Sequence, residues 1–176
     1  MRFFKLHKKA VITLVTCLLI GGGVVGTYAT LTAVTDNVVN KFSGEEINTH
    51  IVEDFPPQDV TPGATLKKDV TITNDGPSDA FIRARVTISP DKAVEFLGTD
   101  DKWSYSQADG WFYYKEVVAV NASTKSLMTQ IKVPATLTES FDVTVYQEAV
   151  GTGKYMPGDT VPITDIQEAF SKVTTH

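Results

Sequence analysis

The chain has 176 residues, 42% of them hydrophobic and 21% charged, with a formal net charge of −5. That is one domain's worth of sequence, able to bury a core without metals or disulfides. The acidic balance argues against a phosphate-backbone partner, so no nucleic acid is expected. One cysteine, Cys17, excludes an internal disulfide. Three histidines, His7, His50 and His176, are too few for a multi-histidine zinc site and make a Ser-His-Asp triad improbable. No catalytic residue, metal ligand or cofactor site is expected.

The N-terminus departs from these averages. Residues 1–9 carry Arg2, Lys5, Lys8 and Lys9 and no acid, and no charge follows from Ala10 to Thr35. A basic start, the apolar run Ala10–Val25 and a small-residue exit at Gly26-Thr27-Tyr28-Ala29 predict a secretory signal peptide cleaved between Ala29 and Thr30. The alternative is an uncleaved anchor, since about 20 apolar residues span a bilayer. Membrane contact is expected only through this segment. Cleavage removes four basic residues and takes the net charge from −5 to −9.

Thr30, Leu31, Thr32, Ala33, Val34, Thr35, Asp36, Asn37, Val38, Val39 and Asn40 come next. This stretch has no proline or glycine, is rich in β-branched residues and carries one charge, Asp36. It reads as a strand. Ile47–Val52 alternates, Pro56-Pro57 and Pro62-Gly63 mark a loop and a turn, and Val70–Thr73 alternates again. Asn74-Asp75-Gly76-Pro77 is a turn. Beyond it Ile82, Ala84, Val86 and Ile88 point one way, and Phe81, Arg83, Arg85 and Thr87 the other.

Phe96–Asp109 reads as a loop, Gly110–Val118 as an aromatic strand, and Leu127–Val133 and Phe141–Tyr146 as further strands. Gly151–Pro162 is a loop before a helix near 164–173, capped by Thr164 with Gln167 three residues on. Ile166, Phe170 and Val173 share its apolar face. The fold class is therefore all-β: an antiparallel, jelly-roll-like β-sandwich with one short C-terminal helix, preceded by a signal-peptide helix. The chain divides into a signal peptide (1–29), a candidate donor strand (30–41) and a sandwich domain (42–176).

An ordered series of short motifs carries a family resemblance. After the apolar run come Thr32-Ala33-Val34-Thr35-Asp36, Asn40-Lys41-Phe42, Glu53-Asp54-Phe55-Pro56 and Val60-Thr61-Pro62-Gly63. Lys68-Asp69-Val70, Asn74-Asp75-Gly76, Asp79-Ala80-Phe81-Ile82-Arg83 and Asp109-Gly110-Trp111-Phe112-Tyr113-Tyr114 complete it. The series resembles the TasA/camelysin family of Gram-positive exported proteins, most closely its shorter, pilin-like biofilm-matrix members. The resemblance implies processing by a dedicated signal peptidase, secretion to the cell surface or matrix, and a jelly-roll fold. It further implies homopolymeric fibres in which the N-terminal strand Thr30–Asn40 of one subunit adds to the next. The other reading of that segment is a first strand paired within its own subunit. Some relatives are metalloproteases, but a helix with paired imidazoles is missing here, so protease activity is not carried over.

Three constellations remain. Trp103, Trp111 and Tyr113 would either stack on matrix polysaccharide or fill the core. Arg83 and Arg85 would either pair with an acidic neighbouring subunit or lie on a solvated face, the simpler expectation. Lys41, Lys68 and Lys132 lie on strands, where extracellular fibres can carry Lys–Asn isopeptide crosslinks. The functional expectation is a secreted, non-enzymatic fibre subunit; the alternative is a monomeric adhesin or glycan-binding module of the same fold.

Overall fold

A computed structural model describes residues 40–42, 45–56, 58, 60–137 and 140–173. The expected signal peptide, its cleavage site and Thr30–Val39 lie outside the described residues. Ten strands and one helix follow in chain order: β1 (Asn40–Phe42), β2 (Glu45–Ile47), β3 (Thr49–Asp54), β4 (Thr65–Asn74), β5 (Ala80–Ser89), β6 (Glu95–Leu97), β7 (Trp103–Ser106), β8 (Trp111–Tyr114), β9 (Met128–Lys132), β10 (Asp142–Gly151) and α1 (Ile163–Val173). One four-stranded sheet has the order β10-β5-β8-β7, the other β3-β4-β9-β6, and β1 and β2 form a hairpin of their own. Every ladder is antiparallel.

The alternation seen in the sequence becomes the core. Leu66, Val70 and Ile72 of β4 meet Ile82 and Ala84 of β5 and Val143 and Val145 of β10 between the sheets. Full burial of each larger aliphatic contributes about 1.5–3 kcal/mol. β5 and β10 pair over their whole length, from Ala80↔Gly151 to Ser89↔Asp142. The predicted turn after β4 is held by Asn74, whose Nδ2 donates to the carbonyls of Ser78 (2.9 Å) and Val118 (3.1 Å) while its Oδ1 accepts from the Gly76 N–H (3.0 Å). Gly76 is required there. A Cβ at this position would sit 2.6 Å from the Asn48 backbone nitrogen.

Two strands lie where the sequence reads as loop. β6 and β7 fall within Phe96–Asp109 or at its edge. Each is three or four residues long, too short to show a period. Tertiary pairing fixes them: β6 with β9 through Phe96↔Ile131, and β7 with β8 through Trp103↔Tyr114. The helix starts at Ile163, one residue before the expected cap. The Pro162 carbonyl accepts from the N–H groups of Asp165 (3.0 Å) and Ile166 (3.3 Å), opening the helix. Thr164 Oγ1 instead donates to Asp165 Oδ1 at 3.1 Å. Asp165 in the first turn and Lys172 in the last complement the helix dipole.

Candidate functional site

The β10-β5-β8-β7 sheet has two apolar faces, because the aromatic strand β8 sends Trp111 and Tyr113 to one side and Phe112 and Tyr114 to the other. α1 covers the part of the outer face around Phe81, Trp111 and Tyr113, while Tyr146 farther along β10 is 45% exposed. Ile166 and Phe170 of the helix pack with Phe81, Trp111, Tyr113, Val117, Val150 and Val161 into a second buried cluster. Tyr113 and Phe170 meet edge to face at 6.0 Å.

Arg83 and Arg85 project into this outer layer rather than onto a solvated face, which corrects the simpler expectation. Arg83 donates from Nε (2.8 Å) and Nη2 (2.6 Å) to Glu148 Oε2 on the neighbouring strand β10. Its guanidinium carbon lies 4.4 Å from the ring centres of both Trp111 and Phe170. Arg85 lies 4.4 Å from the Trp111 ring and donates to the Asp109 carbonyl at 2.6 Å. The delocalised guanidinium suits this stacking between aromatic faces. The acidic partner that the sequence would place on a neighbouring subunit is thus supplied to Arg83 by its own chain.

Tyr113 extends the network by donating to Asp109 Oδ2 at 2.6 Å. Burial pushes the Tyr113 hydroxyl above its ordinary value, and the Asp109 carboxylate adds to that. Burial also works against the Asp109 charge. The donors Tyr113, the Trp111 N–H and Ser106, with the Arg83 charge, outweigh it and hold Asp109 below the ordinary carboxylate value.

Lys68 is an internal charge. It lies on the inward face of β4 and is completely buried. Its Nζ is 2.6 Å from Glu53 Oε2 and 5.5 Å from the Phe55 ring centre. A buried ammonium needs such a counter-charge. Its hydrogen-bond partner is a carboxylate rather than an asparagine amide. Lys132 is exposed, and the Lys41 side chain lies outside the described residues. His50 pairs with Asp75. Among the described residues, no group of three or more His, Cys, Asp and Glu side chains is placed to hold a metal ion.

The inner face of the same sheet lines the main core and becomes exposed toward the β7 edge. Trp103 of β7 shares the face of Phe112 and Tyr114, packs edge to face on Tyr114 at 5.1 Å and donates from Nε1 to the Lys125 carbonyl at 2.9 Å. Tyr105, two residues on, shares that face yet is 53% exposed. The opposite sheet ends at β6, whose Phe96 reaches Phe112 at 5.8 Å. Tyr105 packs on the Phe112 ring, with ring centres 4.8 Å apart.

Phe96 also lines a cleft of about 520 Å³, whose other walls are apolar (Val86, Ile88, Val94 and Pro134) and charged (Asp91, Lys92 and Glu95). Its floor is open because the β5–β8 ladder stops at Ala84↔Phe112, so Thr87–Ser89 have no strand on that side. Among the described residues, the outer edge of β6 also carries no strand. Edge N–H and C=O groups that have no strand partner among the described residues leave this side of the sandwich able to accept an added strand.

Of the residues singled out from the sequence, Trp103, Trp111 and Tyr113 are all buried and offer no stacking platform for sugar. Asn40, the last residue of the candidate donor segment, lies in β1 and pairs with Ile47 of its own chain. The uncovered pair β6–β7 was not legible in the sequence. A cue existed in Trp103-Ser104-Tyr105-Ser106, a four-residue aromatic alternation. No family model, curated protein or solved structure matches the chain.

Proposed function

We propose that this chain is a secreted structural subunit that polymerises into extracellular biofilm-matrix fibres by donating its N-terminal strand, Thr30–Asn40, to the next subunit. The reading joins two things. One is the ordered motif series similar to the TasA/camelysin family. The other, which carries the argument, is an uncharged-but-for-Asp36 strand sequence placed ahead of a sandwich whose sheets keep an open edge. An extended peptide satisfies the hydrogen bonds of such an edge, and alternate side chains fill the apolar positions behind it. A donor and acceptor on different surfaces of one subunit form a contact that does not close, and so a filament. Release of Thr30 by signal cleavage would make export the trigger of assembly.

Electron microscopy of the exported protein, with N-terminal sequencing of the same sample, tests this. Fibres of regular repeat from a chain beginning at Thr30 are expected. Isolated particles from that chain would sink the proposal and leave the monomeric adhesin.

A further inference from the structure

We propose that the part of the outer sheet face beyond α1, centred on Arg85 and Tyr146, is a binding site for a polysaccharide that carries scattered carboxylates. The inference goes beyond the fibre reading and holds for a fibre subunit and a monomer alike.

The two arginines of β5 differ in how their charge is met. Guanidinium-to-ring contacts of 4.4 Å link Phe170, Arg83, Trp111 and Arg85 in one chain. Arg83 lies within that chain, and Glu148 neutralises it at 2.6 Å. Arg85 ends it. Among the described residues, no carboxylate lies within ion-pairing distance of Arg85. Its Nη2 donates to the neutral Asp109 carbonyl, and its Nε is buried without an acceptor. A half-buried cation calls for a counter-charge. The planar guanidinium recognises a carboxylate best.

The surroundings of Arg85 say what should carry that carboxylate. Arg85 lies directly opposite Tyr146 in the β5–β10 ladder, and Thr87 opposite Thr144 at the next position of the same face. Ala84, Val86, Val143 and Val145 turn to the core, so alternation puts these four on the outer face. Side chains directly opposite each other start about 4.5–5.5 Å apart, which makes the Tyr146 ring a neighbour of the guanidinium. Tyr146 is 45% exposed. Thr87 is exposed and Thr144 half-buried. An exposed ring receives the apolar C–H face of a sugar, and threonine hydroxyls exchange hydrogen bonds with its hydroxyls. With Arg85 for the carboxylate, the patch answers each part of a uronic acid.

Charge narrows the class further. The chain is acidic, at −5 overall, and Asp142 stands exposed at the end of the same two-stranded ribbon. A dense polyanion is repelled by such a surface. One carboxylate among neutral sugars is not.

Equilibrium dialysis of the exported chain against labelled oligosaccharides tests this, whether the chain is fibrous or monomeric. The probes are a xylotriose bearing one glucuronate, neutral xylotetraose, and glutarate as a bare carboxylate. The acidic oligosaccharide is expected to bind about tenfold or more tightly than either of the others. Arg85→Gln and Tyr146→Ala should each weaken it by about tenfold. Tyr146→Ala, at an exposed position, should leave the melting temperature unchanged, so it reads binding even where Arg85→Gln disturbs the fold. No binding of the acidic oligosaccharide overturns the inference. Equal binding of xylotetraose removes the role of Arg85, equal binding of glutarate removes the sugar, and indifference to Tyr146→Ala removes the location; each overturns it. Self-association that depends on Arg85 in a chain that ignores all three probes assigns the patch to a second copy and overturns it too.

Discussion

The two faces of the β10-β5-β8-β7 sheet start from similar material and end differently. On the outer face Phe81, Trp111, Tyr113 and Val150 are closed over by α1, and even two arginines are drawn into the aromatic layer. On the inner face Phe112 packs into the main core, and Tyr105 beside it at the β7 edge stays 53% exposed. The same strand, β8, serves both. An apolar alternation therefore guarantees two faces that need cover, but it does not say who supplies the cover. On the outer side this chain does so itself, and the gain is stability. On the inner side the ring at the β7 edge stays half exposed and contributes little to stability.

That contrast can be broken by substitution. The largest effect on stability is expected from Phe170→Ala, which empties the centre of the outer cluster; about 3–5 kcal/mol should be lost in chemical denaturation. Arg83→Ala removes a charge-assisted pair with Glu148 and stacking on two rings, so about 1–3 kcal/mol is expected by the same measurement. Acid should loosen the outer layer next. Asp109 and Asp165 both titrate below their ordinary values. Asp109 is held there by its donors against burial, and Asp165 chiefly by hydrogen bonds from Tyr155 and Thr164. A depressed carboxylate contributes stability that is complete above the unfolded value of about 3.9 and is lost as pH falls through the folded value. The near-ultraviolet circular dichroism of Trp111 should hold at neutral pH and decline below about pH 4. An Asp109→Asn variant should show a flatter acid limb. The smallest stability effect is expected at the open side: Tyr105→Asp should change unfolding free energy by no more than about 0.5 kcal/mol. If Tyr105→Asp unfolds the protein as readily as Phe170→Ala, the two faces do not differ in the way described.

Much of this protein was set by its sequence alone. Period-two runs placed β4, β5, β9 and β10, the Asn74–Gly76 turn placed the corner between β4 and β5, and the spacing of Ile166 and Phe170 placed the helix. These are local signals, carried by neighbours in the chain. Tertiary structure decided what local signals do not contain. Lys68 reads as a strand lysine open to an asparagine crosslink, yet it is an internal charge paired with Glu53 of β3 and close to the Phe55 ring. Arg83 and Arg85 read as a solvated face, yet both stack on Trp111 and α1, some eighty residues later, brings Phe170 over Arg83. β7 pairs with β8 at the edge of its sheet, where Tyr105 is 53% exposed. Alternation fixes which side chains share a face. Only packing between segments distant in sequence decides whether that face is filled, sealed or left open.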